Sequence, residues 1–158
     1  MWAPIGQQAR VPIIGHHERR LLTGVMNIRT SEYLDFASAE FHQEHFQGIL
    51  RKIHRHWRGW HIVLFVDRNT PHTAKASRRL ARALGIQLRW LPKACSELNV
   101  IDHLWRHAKD RVSANEPTPN IHATVERARR ELRQMTPTER LQKAGILSKD
   151  FWLADVLA

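Results

Sequence analysis

Trp60-His61-Ile62-Val63-Leu64-Phe65-Val66-Asp67 is the stretch on which the organisation of this chain turns. Its run up to the acid is nearly all apolar and rich in β-branched and aromatic residues. That pattern predicts a strand buried on both faces, as at the centre of an α/β sheet. Gly59 sets it off from an upstream segment with a different period. There Phe46, Ile49, Leu50, Ile53 and Trp57 recur at the spacing of one face of an amphipathic helix. Further upstream, Leu21–Ile28 and Glu32–Phe36 flank a polar turn and predict a hairpin, and Val11–Ile14 reads as a short edge strand. Downstream, a helix is predicted over Thr73–Leu84 with Gly85 as its C-cap, then a strand Ile86–Leu91 stopped by Pro92. Helices follow over Val100–Ala114 and Ile121–Met135, the second with Ile121, Val125, Ala128 and Leu132 on one face. Pro117 and Pro119 separate them, and a tail from Thr138 to Ala158 reads as two short helices broken at Gly145. This order predicts an α/β fold with a mixed sheet and a helical C-terminal part from about residue 117 to 158.

The chain has 158 residues, the size of one domain. Its 25 Lys and Arg outnumber its 15 Asp and Glu, for a net charge of +10. Such an excess suits a polyanionic partner through phosphate contacts, but charge alone does not choose among DNA, RNA and an anionic membrane. One cysteine, Cys95, excludes a disulfide framework and a Cys-based zinc site. Apolar runs as short as Ile62–Val66 cannot span a bilayer, and the opening Met1–Gly6 is unlike a signal peptide. The expectation is a cytoplasmic protein with no membrane partner. The eleven His, including His42 and His45 on one helix, fit a solvated face better than a zinc site.

Two acids stand out. Asp67 closes the apolar strand, where loops of an open α/β sheet diverge and leave a crevice. Asp102 lies three residues after Asn99, which suits the N-cap of the following helix. Free N–H groups and the helix dipole there favour an ionised carboxylate. Each acid alone reads as readily as an ordinary turn or cap residue.

Taken together, Val66-Asp67-Arg68-Asn69-Thr70-Pro71-His72 and Leu91-Pro92-Lys93-Ala94-Cys95-Ser96-Glu97-Leu98-Asn99-Val100-Ile101-Asp102-His103-Leu104-Trp105 resemble the DDE transposases of the mariner-like and bacterial insertion-sequence families. The 34 residues between the two acids match the family spacing. Trp2-Ala3-Pro4, Gly6-Gln7 and Lys143–Trp152 are similar to further family segments, so the likeness covers nearly the whole chain. It implies a ribonuclease-H-like catalytic domain over residues 1–158. It makes Asp67 and Asp102 the second and third catalytic, metal-binding acids, with His72, Glu97 and Asn99 in supporting or positioning places. The implied chemistry is DNA cleavage and strand transfer by a two-metal Mg²⁺ (or Mn²⁺) site, hard cations that prefer carboxylate oxygens. The implied partners are DNA, as transposon ends and target, with a homodimer left possible. Arg68, Lys93, Arg78 and Arg79 are candidate DNA contacts, and Arg82, Arg89, Arg127, Arg129, Arg130 and Arg133 also fit a DNA groove or plain solvation.

The sequence also departs from the family. The first family acid lies on a strand upstream of the Trp2-Ala3-Pro4 segment, at which this sequence opens. Neither Glu18 nor Asp35 is a convincing substitute. The expectation is therefore an N-terminally truncated reading frame without the first, central strand, its acid and a helix-turn-helix domain, and inactive alone. A non-catalytic DNA-binding remnant is the alternative, and an RNA-binding basic protein a further one. Arg68 also stands where the family usually has Asn.

Overall fold

A computed structural model of the chain describes residues 19–113 and 120–157. The edge strand expected at Val11–Ile14, Glu18, the Trp2–Gln7 segment and the Pro117–Pro119 boundary lie outside them.

β1 (Leu21–Met26) and β2 (Tyr33–Ser38) form the antiparallel hairpin expected from the sequence, with Leu21 opposite Ser38 and Met26 opposite Tyr33. Its turn is held by the Asn27 side chain, whose Oδ1 accepts from the N–H of Arg29 at 2.9 Å and of Thr30 at 3.2 Å. α1 (Gln43–His56) follows and buries the predicted stripe of Phe46, Ile49, Leu50 and Ile53. Gly59 turns the chain at a φ of 85°, a value costly for any residue with a Cβ.

β3 (Ile62–Val66) then pairs in parallel with β4 (Ile86–Trp90), Ile62 opposite Ile86 and Val66 opposite Trp90. The crossover between them holds α2 (Thr70–Thr73) and α3 (Lys75–Ala83). The helix expected over Thr73–Leu84 is α3; the short α2 before it was not expected, and Ala74, extended at a ψ of 137°, separates the two. Beyond a 3-10 turn at Ser96–Leu98 come α4 (Val100–Ser113), α5 (Ile121–Gln134), α6 (Pro137–Lys143) and α7 (Ala154–Leu157). A capping box between Thr136 and Glu139 starts α6.

Mixed α/β content is as predicted, but among the described residues the strands form two separate two-stranded sheets. One core cluster joins the α1 stripe and Trp57 to Val66, Ala81 and Ile86. A second joins Met26 of the hairpin to Leu104 and Ala108 of α4, Leu132 of α5, Ala144, Ile146 and Phe151. The expectation that β3 is buried on both faces fails at Val63, which is 39% exposed. Among the described residues β3 has one strand neighbour, β4, and all of its residues line a cavity. Trp60 and Trp152 are likewise exposed, although each lies among apolar residues in the sequence, whereas Trp57 is buried.

Candidate active site

The cavity, of about 910 Å³, is lined by every residue of β1 and of β3. Asp67, immediately after β3, lines it, and so does Asp102, three residues into α4. The strand end and the helix start thus bring the two carboxylates to one chamber. Their electrostatics agree. Burial first, and the negative charge of Asp67 second, push the Asp102 carboxyl above its usual range. His103, a hydrogen bond from Asn99 and Lys109 pull the other way. The helix start was expected to favour the ionised form of Asp102; desolvation and a like charge outweigh it.

Asp67 is half-exposed and held in place. Oδ1 accepts from the Asn69 backbone N–H at 3.1 Å and from His72 Nδ1 at 2.6 Å, and Oδ2 accepts from Asn69 Nδ2 at 2.7 Å. A carboxylate offers about four lone-pair sites, so Oδ2 keeps a free one. The short turn of α2 is what returns His72 to the strand end. The ring of His72 stacks edge-on against Phe41 and Phe46, with centroids 5.2 and 4.4 Å away. That packing fixes the imidazole with Nδ1 toward the acid. On the opposite wall, the Asn99 side chain accepts from the N–H of Ile101 at 3.4 Å and its carbonyl from that of Asp102 at 2.9 Å, so Asn99 opens α4 as predicted. Gly24 of β1 lets α4 approach. A Cβ there would meet Trp105 Cζ2 at 2.8 Å, Tyr33 at 3.1 Å and Ile101 at 3.3 Å.

The other predicted residues are elsewhere. Glu97 is exposed in the 3-10 turn, outside the cavity lining; its carbonyl accepts from His103 Nε2 at 2.8 Å. Arg68 follows Asp67 directly but is exposed and outside the lining, as are Lys93, Arg78 and Arg79. Arg129 and Arg133 are corrected from groove candidates to structural residues. Both ion-pair with Asp35 of β2, whose side chain is 1% exposed, and a buried carboxylate requires such partners. Asn69 was missed as a site residue. An Asn two positions after a strand-ending Asp is a turn signal, and it could have been read as a carboxylate clamp.

Among the described residues, no group of three or more His, Cys, Asp or Glu is placed to hold a metal ion. The donor set still fits a hard divalent cation: two carboxylates line one cavity, one with a free lone pair and the other raised by burial and then by the charge of the first.

The class defined by this fold and site is an α/β domain with one carboxylate at the carboxyl end of a parallel strand and a second in the first turn of a later helix, both lining one cavity. The sequence model of the DDE superfamily endonucleases matches residues 1–124, and the chain belongs to that family. Membership implies a DNA substrate, and endonucleases of this family generally use divalent metals. No curated protein matches the chain. No helix among the described residues is long and apolar enough to cross a membrane.

Proposed function

We propose that this chain is the catalytic-core part of a DNA transposase of the mariner-like or bacterial insertion-sequence type, with Asp67 and Asp102 as catalytic metal ligands. The observation that supports this reading is that both carboxylates line one cavity, where burial and then the charge of Asp67 raise the Asp102 carboxyl. In this reading Asp67, through Oδ2, and Asp102 hold the cation. Asn69 and His72 hold Asp67 in one rotamer, and Asn99 fixes the first turn of α4 and with it Asp102. Divalent metal bound there supplies Lewis-acid stabilisation and an activated oxygen nucleophile for attack at phosphorus.

Two carboxylates leave the site short of the three that the transposase mechanism uses. We further propose that the third arrives on an apolar strand seated between β1 and β3. Both strands line the cavity throughout, and among the described residues each pairs on one side alone. The present sequence is then inactive by itself. The test is a protein that carries whatever reading frame lies upstream. It should contain an apolar strand ending in Asp and nick duplex DNA with Mg²⁺. Asp67→Asn or Asp102→Asn should abolish nicking and spare DNA binding; nicking retained in either variant removes that acid from the mechanism.

The pair of acids without a third among the described residues also favours a second reading, a non-catalytic DNA-binding remnant. Duplex binding unaffected by EDTA, with no nicking in Mn²⁺ even when any upstream reading frame is included, would select it.

A further inference from the structure

The 29 residues between Asp67 and Glu97 contain seven Lys or Arg and no Asp or Glu, against a net +10 for the whole chain. All seven, Arg68, Lys75, Arg78, Arg79, Arg82, Arg89 and Lys93, are exposed. The preceding residues 45–66 also lack Asp and Glu but carry four Lys or Arg, so the run from Arg68 to Lys93 is the denser of two acid-free basic segments. Four of the seven order themselves on α3. Lys75, Arg78, Arg79 and Arg82 fall at i, i+3, i+4 and i+7, one stripe of the helix, while Ser77 and Ala81 of the opposite stripe are buried. Arg78 and Arg82 form one wall of a shallow groove whose other wall is Gln87, Leu88 and Trp90 of β4.

Four arginines of the C-terminal helices are engaged. Arg111 binds Glu131, Arg129 and Arg133 bind Asp35, and Arg140 donates to the carbonyls of Ser31, Leu132 and Met135. The α3 stripe faces no acid on its own segment, because that segment has none.

We propose that the exposed face of α3, with the groove beside β4, binds the phosphate backbone of duplex DNA without need of a metal. This rests on the DNA reading for the identity of the polyanion. The geometry suits a backbone track. At about 1.5 Å per residue the stripe spans about 10 Å, or about three phosphate steps of 3.4 Å along a duplex axis. Because β3 and β4 are parallel, α3 runs back from the strands' carboxyl ends. Lys75 therefore starts the stripe at the end of the sheet that carries Asp67, and a backbone followed along α3 arrives at the acids.

The test is the salt dependence of binding of the full chain to a 30-base-pair duplex of arbitrary sequence, in EDTA. Arg78→Gln with Arg82→Gln should flatten the slope of log K against log salt by about 1.8, at about 0.9 for each phosphate no longer neutralised. Lys143→Gln with Arg127→Gln, two exposed positions outside α3 and its groove, removes the same charge and should leave the slope within error. An unchanged slope in the α3 variant, or equal flattening in both, overturns the inference and leaves the acid site untouched. Failure of the parent chain to bind duplex DNA, or preference for structured RNA in competition, overturns the DNA partner itself.

Discussion

Gly24→Ala tests whether the wall that carries Asp102 is set by close approach of α4 to the hairpin. The new Cβ would lie 2.8 Å from Trp105 Cζ2, 3.1 Å from Tyr33 Cε2 and 3.3 Å from Ile101 Cδ1. Ordinary contact begins at 3.4 Å, so the indole must retreat by about 0.6 Å and the other two by less. Trp105 and Ile101 flank Asp102 on the first turns of α4, so the retreat moves the helix that positions the acid. Overpacking of this kind costs about 1–3 kcal/mol, of which the lower backbone entropy of Ala restores about 0.5–1. For a domain of this size 1 kcal/mol corresponds to about 2–4 °C in Tm, so a fall of several degrees is expected by circular dichroism. The near-ultraviolet signal of Trp105 should change with it. Gly48→Ala is the control, because nothing lies within 4 Å of its Cβ and the residue is inside α1. It should raise Tm through helix propensity. Gly24→Ala at or above the parent Tm would refute the close approach.

Three further outcomes follow from particular contacts. Glu32 accepts from Trp57 Nε1 at 2.8 Å, and this bond with that from Thr30 holds its carboxyl below the usual range of a glutamate. Its contribution to stability is thus complete above the ordinary glutamate pKa and is lost as pH falls through the lowered one, so Glu32→Gln should flatten the acid limb of a stability–pH curve; an unchanged limb contradicts the contact. Arg140→Ala removes a buried guanidinium that gathers the carbonyls ending α5 together with that of Ser31 in the hairpin turn, and chemical denaturation should show a loss of at least about 1.5–3 kcal/mol. Lys at that position keeps the charge but lacks the planar fork, and should recover less than half. Asn69→Ala removes the side-chain bond to Asp67 Oδ2, leaving Oδ1 held by His72 and the backbone N–H, and should weaken Mn²⁺ binding by about tenfold, read by electron paramagnetic resonance; unchanged affinity removes the Asn69 side chain from the site.

Much of the fold was legible because its signals are periodic. The α1 stripe, the hairpin and the run ending at Asp67 each follow a single spacing, and Asn99 announced the start of α4. What was not legible depends on neighbours that no local pattern names. Whether Val63 and Trp60 are covered is decided by what flanks β3, not by their own hydrophobicity. Arg129 and Arg133 look like surface cations until Asp35, 94 and 98 residues away, is found buried beneath them. The raised state of Asp102 likewise required knowing that α4 starts inside a cavity facing Asp67; helix position alone predicted the opposite sign. Asn69 escaped because the turn after β3 carries the clamp one residue beyond Arg68, the position directly next to the acid.

The most direct measurement is the titration of the Asp102 carboxyl by carbon-13 NMR in the parent chain and in Asp67→Asn. In the parent the carboxyl should titrate above its ordinary range. Removing the Asp67 charge should lower it and leave the part due to burial in place. An Asp102 that titrates identically in both proteins would mean that the two carboxylates do not share a site, and the assignment of a metal-dependent nuclease centre to them would fail.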